Sequence, residues 1–256
     1  MSDIHVEKSE RIATIEIRRP PLNFFNVTLI GEIADALDDI DADASVRAVV
    51  LAAQGKAFCA GAEFAAGSSG EPASGVGEFG HLYGEALRIF RNKKPIVAAV
   101  HGAAIGGGLG LAMAADFRVT CPEARFSANF TKLGLHPGFG LTVTLPDAIG
   151  KTEAALMFYT SRRVTGEQAV RIGLASVLAP QDQVRAEARK LAAEIAECSP
   201  LGVVSTRATF RFGLADRVQA ATDRELAEQT WLRATDDFRE GVQATQERRA
   251  PNYQGR

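Results

Sequence analysis

Apolar residues along the first half of this 256-residue chain alternate between strand-like and helix-like spacing. Arg11-Ile12-Ala13-Thr14-Ile15-Glu16-Ile17 alternates well enough for a half-buried strand that ends before Pro20-Pro21. Leu29, Ile33, Leu37 and Ile40 then recur on one helical face. Two runs, Ala48-Val49-Val50-Leu51 and Ile96-Val97-Ala98-Ala99-Val100, are apolar throughout, as strands covered on both faces are. A helix through Leu82, Leu87, Ile89 and Phe90 precedes the second run. Another helix over 109–115 follows it, and Phe117-Arg118-Val119-Thr120 makes a third strand. This alternation predicts an α/β fold with parallel strands covered by helices.

Between the first two buried runs, residues 65–80 hold five glycines among serines and a proline, which predicts a flexible flap rather than an element. From about residue 150 only the helical period remains, over 152–159, 166–172, 183–197 and long segments through Leu214, Leu226, Trp231 and Phe238. The expected organisation is a core over 1–195 and a helical C-terminal region over 196–256, working as one unit.

Composition narrows the function. With 46% hydrophobic and 23% charged residues, the chain can bury a full core without metals or disulfides. A formal net charge of −2 gives no general affinity for nucleic acid or anionic membrane. No apolar run approaches a membrane span and no leader pattern follows Met1. Three separated cysteines, Cys59, Cys121 and Cys198, fit reduced thiols and offer no metal framework. These features predict a cytoplasmic protein.

The chemistry concentrates where the second buried strand meets its helix. Gly106-Gly107-Gly108 lets a ligand approach the backbone closely, and the first N–H groups of a helix have no internal partner. Together they form a donor site for an anion or a developing oxyanion. Tight strand–helix packing is the plain alternative. A dinucleotide fingerprint fails, because the sixth position from Gly106 or Gly108 is Leu111 or Met113, and no Walker GK[ST] is present. The loop Gly55-Lys56-Ala57-Phe58-Cys59-Ala60-Gly61-Ala62-Glu63 is a second small-residue turn after a buried strand. Two such turns on neighbouring parallel strands would meet at their carboxyl ends.

These motifs, with Leu133-Gly134-Leu135-His136-Pro137-Gly138 and the closing Asp236-Asp237-Phe238-Arg239-Glu240-Gly241 stretch, resemble the enoyl-CoA hydratase/isomerase (crotonase) superfamily over nearly the whole chain. The resemblance implies a spiral of ββα units and a C-terminal helical trimerisation region. It implies a homotrimer, or a hexamer made of two trimers. It also implies an acyl-CoA thioester ligand, with coenzyme A arriving as part of the substrate and no permanently bound cofactor. Carried over by position, the oxyanion donors are the N–H groups of Ala62 and Gly107. Lys56 to Ala60 would lie along coenzyme A, and Tyr83, Gly110, Phe130 and Gly138 would line the acyl pocket.

The same carry-over exposes departures. Family hydratases carry glutamates at the positions of Gly110 and Phe130, and some isomerases carry an aspartate at Gly138. None of the three acids is present here, which would leave the site roomier on one side and more apolar on the other. His136 is then the candidate acid–base group, weighed against a structural role. A hydratase or isomerase acting without the usual carboxylates, a non-catalytic acyl-CoA carrier, and a C–C or thioester hydrolase or isomerase using His136 all stay open. Glu63 reads as a loop brace, His81 and Glu85 as a solvated helical face, and Lys93-Lys94 as a solvated helix end with an option on coenzyme A phosphates. Cys59, His101, Asp116 and Asp147 read as structural, and Ser68-Ser69 lacks any hydrolase frame.

Overall fold

The computed structural model describes the backbone of residues 2–62 and 76–256 and the side chains of 2–62 and 80–256. Its order is a repeated strand, strand, helix. The first unit is β1 (Ile4–Ser9), β2 (Ile12–Ile17) and α1 (Val27–Ala42); the second is β3 (Ala48–Ala53), β4 (Ala57–Cys59) and α2 (Val76–Arg91). The third is β5 (Ile96–Val100), β6 (Ala103–Ile105) and α3 (Gly107–Ala114); the fourth is β7 (Phe117–Thr120), β8 (Arg125–Ser127) and α4 (Leu141–Thr160). Then follow β9 (Val164–Thr165), α5 (Gly166–Arg171), β10 (Val177–Leu178), α6 (Val184–Glu197), α7 (Pro200–Phe210), α8 (Leu214–Leu232) and α9 (Asp236–Glu247).

Both strands of the first unit and the first strand of each later unit join β10 in one six-stranded sheet, ordered β1-β2-β3-β5-β7-β10, and the second strands of the later units, β4, β6 and β8, build a four-stranded sheet with β9. β2, β3, β5 and β7 run parallel, and the apolar runs predicted as covered strands are buried throughout on β5 and nearly so on β3. α1 lays Leu29, Ile33, Leu37 and Ile40 into the core, and Asn26 accepts from the Leu29 N–H at its start. The spiral expected from the resemblance is therefore the observed architecture.

Four local readings change. The polar stretch before residue 9 is strand β1, paired antiparallel with β2 at the sheet edge, where charged side chains face water. α2 begins at Val76, so residues 76–80 are helix rather than flap; isolated glycines there cost about 1 kcal/mol each and tertiary packing outweighs that. The rest of the expected flap, with Glu63 and Ser68-Ser69, lies outside the described residues. α4 is two helical segments joined at a kink at Gly150, whose φ of 77° and ψ of 158° are non-helical: the predicted helix over 152–159 is the second segment, and the first, from Leu141, was not predicted and has its opening N–H groups capped by a carboxylate from another helix. Lys94 is buried: its ammonium donates to the Ile40 and Asp43 carbonyls and closes the end of α1. No helix among the described residues is long and apolar enough to cross a membrane.

Candidate active site

The parallel pairing of β4 with β6 sets the loop after β4 beside the start of α3. A Cβ on Gly61 would stand 3.8 Å from the Gly107 nitrogen. Ala62 forms an isolated parallel bridge with Phe25, in which the Phe25 N–H donates to the Gly61 carbonyl at 2.9 Å. Gly106 takes a φ of 56°, and its N–H donates to the Ser127 carbonyl at 2.8 Å. The helix bonds of α3 begin with the Leu109 and Gly110 N–H groups donating to the Gly106 carbonyl. That leaves the Ala62 and Gly107 N–H groups, on adjacent loop ends, without a backbone acceptor among the described residues. Glycine is required here by contact: a Cβ on Gly107 would come within 2.4 Å of Phe25 Cζ, and one on Gly108 within 2.1 Å of the Cys59 carbonyl oxygen.

A second segment braces these loops. Asn23, fully buried, accepts from the Arg19 N–H and donates to the Gln54 and Ala57 carbonyls at 2.6 and 2.7 Å. The Lys56 N–H donates to the Pro21 carbonyl and the Ala60 N–H to the Leu22 carbonyl. His101 adds a contact between its Nε2 and the Gly55 carbonyl oxygen at 3.0 Å. The backbone of 54–62 is thus tied to the chain after β2 and to the end of β5. Lys56 is exposed and Ala60 half-buried on this loop.

Beyond Gly107 the surroundings are aromatic. Phe25 and Phe139 lie 5.5 Å apart between ring centroids, and Phe139 and Phe90 lie 6.5 Å apart. Phe139 blocks Gly110, whose Cβ would fall 2.5 Å from the Phe139 Cβ. The expectation that Gly110 leaves extra room on its side is therefore corrected: Phe139 fills the space. Phe130 packs its ring toward Gly106, 3.8 Å from where a Cβ would be. At Gly138 the obstruction is Tyr83, whose hydroxyl would be 2.2 Å from a Cβ.

Tyr83 is buried, and its hydroxyl donates to the Gln229 side-chain oxygen at 3.2 Å. Burial pushes its phenol above the usual range, and the nearby Glu225 charge adds to this. Gln229 donates to the His136 carbonyl at 2.9 Å. Glu225 accepts from the Gly140 and Thr142 N–H groups at 2.9 and 3.1 Å and from the Thr142 hydroxyl at 2.5 Å. Burial raises the Glu225 carboxyl, and these donors pull it back only in part. Sequence reasoning missed Asn23, Phe25, Phe139, Gln229 and Glu225. The Asn-Phe-Phe-Asn run after Pro20-Pro21 was a readable signal; the residues of α8 offered none.

The structure thus gathers Ala62, Gly107, Gly110, Phe130, Gly138 and Tyr83 around the glycine cluster and its aromatic rings. The His136 imidazole makes none of these contacts. Its Nδ1 bonds to its neighbour Pro137's carbonyl oxygen at 2.8 Å. Its ring lines a separate cavity of about 710 Å³ with Thr142, Trp231, Tyr159, Tyr253 and Arg256. Cys59 is buried and its thiol is pushed up to about 12, so it is no nucleophile at neutral pH. Asp116 is structural: it accepts from the Ile96 N–H at 2.8 Å and pairs with Arg207 and Arg211. Glu85 pairs with Arg88, which also bridges to Asp35 and Asp38 on α1, and Asp147 pairs with Arg217. Among the described residues no group of three or more His, Cys, Asp or Glu side chains is placed to hold a metal ion.

The chain matches the enoyl-CoA hydratase/isomerase family over residues 7–256. A probable enoyl-CoA hydratase of Bacillus subtilis (strain 168) is 32% identical over 265 aligned residues that cover 100% of both chains. The crotonyl-CoA hydratase of Syntrophomonas wolfei is 33% identical, covering 98% of this chain and 97% of its own. Among solved structures, an enoyl-CoA hydratase/isomerase from Pseudoalteromonas atlantica superposes with a TM-score of 0.87 at 31% identity, over 98% of this chain and 100% of its own. A carnitinyl-CoA hydratase from Mycobacterium avium superposes with a TM-score of 0.86 at 30% identity, with 100% of each covered.

Proposed function

The chain belongs to the enoyl-CoA hydratase/isomerase family, and on that footing we propose that it binds an acyl-CoA thioester and holds the thioester carbonyl between the Ala62 and Gly107 N–H groups. The observation that carries this reading is that the loop reaching Ala62 lies beside the start of α3, where a Cβ on Gly61 would stand 3.8 Å from the Gly107 nitrogen. Fixed donors aimed at developing negative charge need no reorganisation when the charge appears. A carbonyl held in this way gains enolate character, which acidifies its α-carbon. Lys56 and Ala60 lie on the same braced loop, where they flank the coenzyme A portion. Coenzyme A enters and leaves with the acyl group.

The proposed chemistry stops short of ordinary hydration. Gly110 and Phe130 stand at the positions where the family's hydratases hold acid and base, and neither residue moves a proton. Deleting a positioned acid or base typically costs about 10²–10⁴ in rate. Crotonyl-CoA hydration, followed by loss of the enoyl thioester absorbance, is therefore expected at least about a hundredfold below the rate of hydratases that keep both carboxylates. Turnover near theirs would overturn the assignment of Gly110 and Phe130. A non-catalytic acyl-CoA carrier is the second reading, favoured by the rings of Phe25, Phe139 and Phe130 around the donors. Saturable calorimetric binding of acyl-CoA without product from a panel of CoA esters would establish it. Loss of turnover in His136→Ala with binding intact would instead establish proton transfer by His136.

We also propose that the C-terminal helices assemble a homotrimer, alone or paired into a hexamer. Leu201, Phe210 and Phe212 on and after α7 are 82, 92 and 92% exposed in the single chain. Phe210 and Phe212 line an apolar groove of about 990 Å³ that continues to Phe117 and Leu214. Exposed aromatic residues clustered beside an apolar groove mark an association surface.

A further inference from the structure

We infer that Gln229, with Glu225 one turn before it on α8, is a positioning residue for the Gly107 N–H and acts through the turn over 136–142; this rests on the acyl-CoA reading. The buried face of α8 carries Val218, Thr222, Glu225 and Gln229. Three of these four are polar, on a stripe where a packed helix ordinarily presents apolar side chains. Buried polar groups cost stability unless they are hydrogen-bonded, so the partners of Glu225 and Gln229 define what this face does. Both hold the same turn. The Gln229 Nε2 donates to the His136 carbonyl at 2.9 Å and to the Pro137 carbonyl at 3.3 Å. Carbonyls only accept, so the amide nitrogen faces them and Oε1 is left for the Tyr83 hydroxyl at 3.2 Å. Further along, Glu225 accepts from the Gly140 and Thr142 N–H groups at 2.9 and 3.1 Å.

Phe139 stands between these two grips. Its φ is 62°, a region that a bulky side chain keeps only where its surroundings fix it. Val218 adds to the fixation, since its side chain lies 2.8 Å from where a Gly140 Cβ would be. The residue held in this way reaches the start of α3. The Phe139 Cβ is 2.5 Å from the position of a Gly110 Cβ, so Phe139 rests against the first turn of that helix. Its ring lies 5.5 Å from that of Phe25 between centroids. Phe25 in turn packs against the Gly107 backbone, with Cζ 2.4 Å from where a Gly107 Cβ would be. Contact therefore passes from Gln229 through the turn to both ends of the first turn of α3. Close-packed side chains transmit a displacement rather than absorb it. Releasing the turn from Gln229 shifts Phe139 and loosens the backbone at Gly107, and a donor holds its target only within about 0.5 Å of the productive geometry.

Gln229→Met tests this, because it keeps an unbranched side chain of similar size and removes both the donor and the acceptor. By calorimetry butyryl-CoA is expected to bind the variant about three- to tenfold more weakly than the wild type, as for the loss of one hydrogen bond. The infrared shift of its bound carbonyl is expected to shrink. Amide exchange at Leu109 and Gly110, whose N–H groups donate to the Gly106 carbonyl, is expected to quicken while exchange in α1 stays unchanged. Ile40→Val, a core truncation on α1 away from this path, is expected to leave affinity and carbonyl band unchanged, which separates positioning from a general loss of stability. Wild-type affinity and band in folded Gln229→Met, or unchanged exchange at 109 and 110, would overturn the inference. If Gln229→Met does not fold, Gln229→Asn is read in its place, since its shorter side chain cannot span Tyr83 and both carbonyls, and the same changes are expected. Failure of the wild type to bind butyryl-CoA would instead overturn the acyl-CoA reading, while the exchange measurement still decides the coupling of α8 to α3.

Discussion

Gly108 has room for hydrogen only, since a Cβ would stand 2.1 Å from the backbone oxygen of Cys59. A backbone atom on a buried strand yields less than a side chain, so Gly108→Ala is expected to destabilise the fold by about 2–3 kcal/mol in urea unfolding. A change within about 0.5 kcal/mol would show that the strand–helix junction is looser than described. The three thiols give a second residue-level prediction. Cys198 is exposed whereas Cys59 and Cys121 are buried, with both buried thiols held above their ordinary range by desolvation. A thiol reagent at neutral pH should leave Cys59 and Cys121 unlabelled in the native protein and reach Cys198, which lines the proposed association groove, once the assembly is broken; labelling of Cys59 before unfolding would contradict its burial. At this scale the sequence was informative wherever chemistry is local. The glycine triplet at a strand-to-helix junction and the small-residue loop to Ala62 are legible because backbone exposure there follows from residue type. Phe139 and Gln229 were not, because their roles depend on which segment lies opposite them.

α4 shows how an element gains its start from a distant one. Its N-terminal residues, Gly140 and Leu141, offer no side-chain cap, and Pro146 and Gly150 interrupt its pattern. Glu225 of α8 supplies the missing acceptor for the Gly140 and Thr142 N–H groups and for the Thr142 hydroxyl. Hydrogen bonds to a charged acceptor contribute about 1.5–3 kcal/mol, and buried donors left unpaired cost a similar amount. Glu225→Ala is expected to lower stability by about 3 kcal/mol by chemical denaturation and to increase amide exchange at 140–144 first. Uniform exchange changes across the chain would instead point to a role in global packing. This is also why sequence periodicity found the segment after the Gly150 kink and not the one that starts at Leu141. Periodicity reports a helix's buried face, whereas this first turn is fixed by a carboxylate 85 residues away in the chain. α1 is the contrary case, since Asn26 and the Leu29, Ile33, Leu37 and Ile40 face carry the whole signal within one segment.

Across the whole molecule, the C-terminal tail closes on α9. Glu240 accepts from Arg249 and from the Asn252 N–H, and Asp237 accepts from the Gln254 and Gly255 N–H groups. The Arg249 guanidinium holds the Glu240 carboxyl near 2, below its ordinary 4.5. A carboxyl lowered in the folded state stabilises above its unfolded value, and that contribution is lost as pH falls from about 4.5 toward 2. The tail should therefore become protease-sensitive within that window before the core unfolds, and salt should weaken the clasp at neutral pH. Tail cleavage that is independent of pH between 5 and about 2 would contradict this. The assembly has its own test: light scattering should give three or six copies of the 27.3 kDa chain, and Phe210→Asp with Phe212→Asp should release monomers. The spiral of ββα units was legible only through resemblance, because β4, β6 and β8 are three-residue strands too short for any periodicity.

The central claim is that the Ala62 and Gly107 N–H groups hold and polarise a thioester carbonyl. Infrared difference spectroscopy of carbonyl-labelled butyryl-CoA tests it most directly, because hydrogen bonding to a carbonyl weakens the C=O bond and lowers its stretching frequency. The account predicts a bound carbonyl band shifted below its position in free butyryl-CoA. A band unshifted at saturating protein would contradict it, leaving the glycine cluster as packing alone.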